Sequence, residues 1–128
     1  MTINDLKYVN KNFYYGRCIN IKTLKSNYIY VAEEKEKIIG ILYADITNTG
    51  TAILFAIEVL KDYRKIGIGS KLMKKFENDC LKNGIESIMT FYNKFDEIEK
   101  FYIKSNYEIG TNLEIACKAL EVNTDERN

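Results

Sequence analysis

The stretch TAILFAIEVLKDYRKIGIGSKLMKKFENDCLKNGIESIMTFY, Thr51 to Tyr92, decides the fold. Its opening, TAILFAIEVL, is apolar at nearly every position, which suits a strand buried on both faces. Ile68, Leu72, Phe76 and Cys80 then recur four residues apart, with Met73 alongside and lysines opposite. That periodicity predicts a helix with one apolar stripe. Asn83-Gly84 ends it, Gly84 suiting the left-handed position after a helix. IESIMTFY reads as a second, mostly buried strand. A strand, a helix and a strand in this order form a crossover between parallel neighbours.

Outward from the crossover, YIYVAEE and KIIGILYADI read as two strands joined by the charged turn Glu34 to Lys37. Thr47 to Gly50 makes a second turn. Downstream, Asp96 and Glu99 have the spacing of a capping box, opening a short helix with Ile98, Phe101 and Tyr102 as apolar residues. Asn106 can close it in the left-handed conformation. YEIG and LEIACKAL then suit a final hairpin. Leu6, Val9 and Phe13 fall at helical spacing, so residues 1–26 read as a short helical region and residues 121–128 as a frayed polar tail. The expected fold is a single α/β domain of the α+β kind spanning residues 1–128. It has a mixed, mostly antiparallel sheet, one central parallel strand-helix-strand crossover and helices on both faces.

Composition narrows the functions. Hydrophobic residues make up 46% of the 128, as in a packed globular domain. No apolar run is long enough to span a bilayer, and the first residues do not read as a secretory signal, so a cytoplasmic protein without a membrane partner is expected. Cys18, Cys80 and Cys117 suggest neither a disulfide framework nor a zinc site. Histidine is absent, which removes Ser-His and Cys-His nucleophile pairs and most transition-metal sites; no metal is expected. Net charge is only +1, against an extended nucleic-acid footprint. Yet seven cations face three anions between Lys61 and Lys82, around the glycines.

Those glycines raise the question of a phosphate site. The dinucleotide fingerprint fails because Leu72 stands where its third glycine should be, and the Walker loop fails on spacing. Arg64-Lys65-Ile66-Gly67-Ile68-Gly69 instead fits a strand followed by [Arg/Gln]-x-x-Gly-x-[Gly/Ala] opening a helix. A helix start offers unpaired N–H groups and positive potential, and glycines let a pyrophosphate approach the backbone. The same residues also suit a tight turn that only packs helix on strand.

In IEVLKDYRKIGIGSKLMKKF and, some 30 residues on, IEKFYIKSNYEIG, the sequence resembles the GNAT superfamily of acetyl-CoA-dependent N-acetyltransferases from about Tyr28 to Leu120. The resemblance implies an acyltransferase that moves acetyl from acetyl-CoA to a primary amine by direct attack. The backbone of Arg64, Lys65, Ile66, Gly67, Ile68, Gly69 and Ser70 would hold the CoA pyrophosphate. Val59 would hold pantetheine, with Asn93 touching the same arm. The Ile57 amide would face the thioester carbonyl. Tyr102 would protonate the departing thiolate. At the positions aligned with the family's strand bases, Ile53 and Phe55 are apolar. Glu58 is then the candidate base, with water, Asp45 or the Glu33-Glu34 pair as alternatives. Tyr102 also fits the core face of a short helix, and Glu58 a strand-end carboxylate.

Two departures stand out. Fewer than 30 residues precede the hairpin where the family has around 50, so the acceptor site would be open, favouring a protein amine over a small one, or walled by a second subunit in a homodimer. Asn106 also replaces a glycine. The rival reading is a CoA-binding module without chemistry, regulatory or interacting; a third is acetylation of aminoacylated RNA.

Overall fold

The structure, a computed structural model, describes residues 2–5, 14–15, 19–20, 26–93, 97–111, 116 and 118–120. The chain divides into two compact units, Met1–Lys94 and Phe95–Asn128.

In the first unit, β1 is Thr2–Asp5, β2 Tyr14–Tyr15, β3 Ile19–Asn20, β4 Tyr28–Glu34, β5 Lys37–Ile46, β6 Thr51–Val59 and β7 Ser87–Thr90. The helix α1 is Ile68–Lys82. Among the described residues, five strands form one sheet in the order β1-β4-β5-β6-β7, and β2 pairs with β3. Every pair in the larger sheet is antiparallel except β6–β7, which the α1 crossover makes parallel. The mixed α+β fold expected from the sequence is therefore present.

The N-terminal region differs from its helical expectation. Thr2–Asp5 is a strand that pairs along β4, from Thr2 opposite Glu33 to Asp5 opposite Tyr30. With Ile3 its only strongly apolar residue, this segment has no alternation to read. Leu6, Val9, Phe13, Cys18, Asp96 and Cys117 lie outside the described residues.

The predicted stripe of α1 is the one that is buried: Ile68, Leu72, Met73, Phe76 and Cys80. The helix lies on the face of the sheet to which Gly40 points. A Cβ at Gly40 would stand 3.3 Å from Leu72 Cδ1 and 3.4 Å from Ile68 Cγ2. Phe76 packs edge-on to the Tyr28 ring, with centroids 5.6 Å apart, and also against Tyr30. Polar tips of the same tyrosines fix the helix's C-terminal half. Tyr30 donates its hydroxyl to Asp79 Oδ2 at 2.6 Å, and Asn83 Nδ2 donates to the Tyr28 hydroxyl at 2.9 Å. Asp79 is further held by Lys75.

Both helices end in the same way. After α1, left-handed Gly84 donates to Leu81 C=O and Ile85 to Cys80 C=O. In the second unit α2 is Ile98–Lys104. There left-handed Asn106 donates to Ile103 C=O and Tyr107 to Tyr102 C=O. This is the Schellman arrangement, with Asn in the usual glycine position. It helps explain why the expected strand YEIG is not one: the Tyr107 N–H is already committed, and residues 107–110 carry no regular structure. Of LEIACKAL, only Ala116 and residues 118–120 are described, without strand; the rest of that expected strand lies outside the described residues.

Two predictions arise here. The β4–β5 turn puts Lys35 at φ 49° and Glu36 at φ 65°, both left-handed. A two-residue hairpin turn of this form favours Asn-Gly. The double substitution Lys35→Asn, Glu36→Gly should raise the unfolding free energy by about 1 kcal/mol in urea titrations. Secondly, burial, reinforced by the charges of Asp79 and Glu77, pushes the Cys80 thiol up to about 11. A raised folded-state value contributes stability that is complete below the unfolded thiol's range and is lost as pH rises through the folded value. Unfolding free energy should therefore fall more steeply between pH 8 and 11 in the wild type than in Cys80→Ala.

Candidate active site

Strand β6 is not buried on both faces as its composition suggests. Ala52 and Leu54 are buried, then Ile57; Phe55 is 49% exposed and Glu58 is exposed. The cause is a bulge. Tyr43 pairs with Ala56 but Ala44 with Leu54, leaving Phe55 as the extra residue. One added residue flips the phase of alternation, so even-numbered positions face α1 before it and odd-numbered ones after it.

At the same place β6 loses its other neighbour. Its parallel pairing runs only from Thr51 opposite Ser87 to Leu54 opposite Thr90. Thr90 closes that ladder by donating its hydroxyl to Leu54 C=O at 3.0 Å. Beyond it, β6 continues to Val59 along β5, while β7 has ended. Leu60 N–H donates to Ile39 C=O at 2.8 Å, so residue 60 is turned toward β5. Backbone groups alternate along a strand. Glu58 is therefore turned to β5 as well, and the N–H groups of Val59 and Ile57 point to the edge that, among the described residues, β7 leaves open.

That edge runs into the glycine loop. A short 3₁₀ turn, Lys61–Tyr63, follows the strand. Arg64 folds back, its Nε donating to Val59 C=O at 2.8 Å. The side chain thus ties the loop to the end of β6, leaving its terminal guanidinium N–H groups as further donors. Lys65 (φ 65°) and Gly67 (φ 91°) are both left-handed, and Ile66 is exposed. Gly67 is the N-cap of α1 and carries no side-chain cap; the first turn contains no acidic residue. Its first amides, Ile68, Gly69 and Ser70, precede the first intrahelical bond, Lys71 N–H to Gly67 C=O. Acid-free helix N-termini of this kind attract anions.

On the sheet face away from α1, three side chains gather at the bulge. Alternation from Gly40 puts Tyr43 there, with Glu58 two residues beyond its partner Ala56. The Tyr43 and Phe55 rings stack at 6.3 Å and 21°. Burial, then the charge of Glu58, raises the Tyr43 phenol above its usual range. Of the alternative bases, Asp45 is engaged structurally: its Oδ1 accepts the Asn27 N–H at 2.7 Å while Asn27 Oδ1 accepts from Ile46.

Asn93 is exposed, three residues past β7. Tyr102 belongs to the second unit, where it is buried on α2; its ring is 5.6 Å from those of Phe101 and Tyr107. The sequence reading missed the bulge, the Tyr43–Phe55 stack and Thr90.

Comparison with known proteins bears on this geometry. No curated protein matches the chain. Among solved structures, the aminoglycoside N-acetyltransferase AAC(6')-Iy in complex with CoA matches with a TM-score of 0.64 at 17% identity, over 72% of this chain and 75% of that one. An aminoglycoside acetyltransferase from an uncultured soil metagenomic sample, in complex with sisomicin, matches with a TM-score of 0.65 at 21% identity, over 90% and 82%. A Bacillus anthracis protein described as a streptothricin acetyltransferase, in complex with acetyl-CoA, is 27% identical over 70% of this chain and 51% of that one, with a TM-score of 0.62. The acetyltransferase (GNAT) domain family matches residues 25–109. With a strand edge leading into an acid-free helix start, the chain belongs to the GNAT acetyltransferase family.

Proposed function

We propose that this chain transfers acetyl from acetyl-CoA to a primary amine within a ternary complex. The observation that carries the reading is the open edge of β6. There two amides, Ile57 and Val59, face away from β5 and the strand leads into the acid-free start of α1. Pantetheine carries amides that pair with such an edge as a further strand would, Val59 being the partner. Its pyrophosphate suits the Arg64–Ser70 loop. Asn93 would touch the same arm.

The chemistry asks for three things. An alkylamine must lose a proton, which near pH 7 costs about 3 pK units, roughly 4–5 kcal/mol. Glu58 is the proposed acceptor of that proton. The amine nitrogen then attacks the thioester carbon, and negative charge develops on its oxygen, where the Ile57 N–H would stabilise it. As nitrogen bonds to carbon it releases its second proton to solvent water, the C–S bond breaks and the thiolate takes a proton. Tyr102 is the proposed donor, a role resting on the family resemblance. No step uses histidine, which this chain lacks.

The test is thiol release from acetyl-CoA in the presence of an amine panel that includes a lysine peptide and an aminoglycoside. Acetyl transfer should be detected, and Tyr102→Phe should lower kcat roughly 100-fold while acetyl-CoA affinity is kept. Full turnover in that variant removes the acid assignment. CoA binding without thiol release for any amine establishes instead the non-catalytic module, which the apolar Ile53 and Phe55 favour.

A further inference from the structure

The bulge on β6 gives the proposed reaction a feature that the sequence motifs do not carry. Phe55, extruded by the bulge, stacks on Tyr43 from the neighbouring strand, and Glu58 shares their face of the sheet. We infer that Tyr43 and Phe55 are positioning residues that hold the acceptor's primary ammonium group against the Glu58 carboxylate. The substrate class is therefore a cationic alkylamine. This rests on the proposed acetyl transfer and adds to it a residue pair and a preference.

Half of the Phe55 surface is exposed, although the ring is held by Tyr43, so it is an ordered aromatic face open to solvent. Glu58 is exposed, and its charge is felt at the Tyr43 phenol, which places carboxylate and rings within electrostatic reach. Ring faces and a carboxylate both attract an ammonium ion more strongly than an uncharged hydroxyl, which only the carboxylate engages, by a hydrogen bond. Glu58 directly follows Ile57, whose amide is turned to the open edge. An ammonium held here is next to the strand position where the thioester carbonyl would sit. It delivers its proton to Glu58 and proceeds as the free amine. The two apolar positions aligned with the family's strand bases, Ile53 and Phe55, then have different meanings: Phe55 serves in binding rather than marking a lost base.

The experiment has two arms on the full chain. In the first, 1,4-diaminobutane and the uncharged 1,4-butanediol are titrated into CoA-loaded protein, and ring-proton NMR signals of Tyr43 and Phe55 are followed. The diamine should shift both rings and the diol neither. In the second, KM for cationic amines is compared among Phe55→Leu, Tyr43→Leu, Tyr43→Phe and the control Leu81→Ala, an exposed apolar residue on α1. The two leucine variants should raise the amine KM about 10-fold with a smaller change in kcat and unchanged acetyl-CoA KM. Tyr43→Phe, which keeps the ring, should behave as the control does. Equal shifts with diamine and diol, or an amine KM unmoved by Phe55→Leu, overturn the inference while leaving acetyl transfer standing. Should CoA bind without any turnover, acetyl transfer fails, and the NMR arm alone decides the ammonium site.

Discussion

Replacing Gly40 by valine should lower the unfolding free energy by about 3 kcal/mol and weaken CoA binding with it. Gly40 sits in β5, opposite Val59 and beneath the first turns of α1. A single Cβ there would already stand 3.3 Å from the Glu58 carbonyl oxygen, 3.3 Å from Leu72 Cδ1 and 3.4 Å from Ile68 Cγ2. The carbonyl is backbone in a paired strand and cannot swing aside. Leu72 and Ile68 are buried and have little space to yield. Overfilled cores of this sort typically lose 1–3 kcal/mol, and the two extra methyls of valine press on both helix residues at once. The alternative to strain is movement of α1 off the sheet, which carries the Arg64–Ser70 loop with it. Gly40→Ala should therefore cost roughly 1 kcal/mol and spare most of the CoA affinity. Urea unfolding and CoA calorimetry on both variants test this. A valine variant within 0.5 kcal/mol of wild type would mean that the helix start is not seated as described.

The same contact shows what was legible from the residues alone. The apolar stripe of α1, its Gly84 terminus and the β4–β5–β6 strands follow from periodicity and turn residues, which are local. Gly40 gives no local sign of its purpose, since its meaning lies in a helix 28 or more residues away. The bulge is hidden for a similar reason. TAILFAIEVL is apolar almost throughout, so a one-residue phase change leaves no mark in its pattern. Register is a property of two strands, and it emerges only when Tyr43 and Ala44 meet their partners. The tyrosines of β4 are legible as strand formers, but their hydrogen bonds to Asp79 and Asn83 span 49 and 55 residues. In the candidate site, the loop came from a motif and the open edge from pairing. The motif points to the loop proposed for the cofactor's phosphate; where β7 stops decides which amides of β6 face away from β5 with no strand beside them among the described residues.

Neighbouring residues on β6 should respond to proline in different ways. Proline lacks an N–H, so its cost in a strand depends on where that N–H was directed. Glu58 is turned to β5, and Glu58→Pro should remove a ladder bond and lower stability by roughly 2–3 kcal/mol. Val59 is turned to the open edge. Val59→Pro leaves the Leu60 to Ile39 bond intact, and the residue keeps the carbonyl that accepts from Arg64. Its folding cost should stay within about 1 kcal/mol. Its functional cost should be larger, because the amide assigned to pantetheine is gone and the proline ring occupies its place. A lost hydrogen bond of this kind is worth about 1–3 kcal/mol, so CoA affinity should fall roughly 10- to 100-fold. Thermal unfolding and CoA calorimetry on the pair separate the two effects. If Val59→Pro unfolds the protein while Glu58→Pro is tolerated, the alternation has been read one residue out of phase, and the amides offered to the cofactor are those of Ala56 and Glu58.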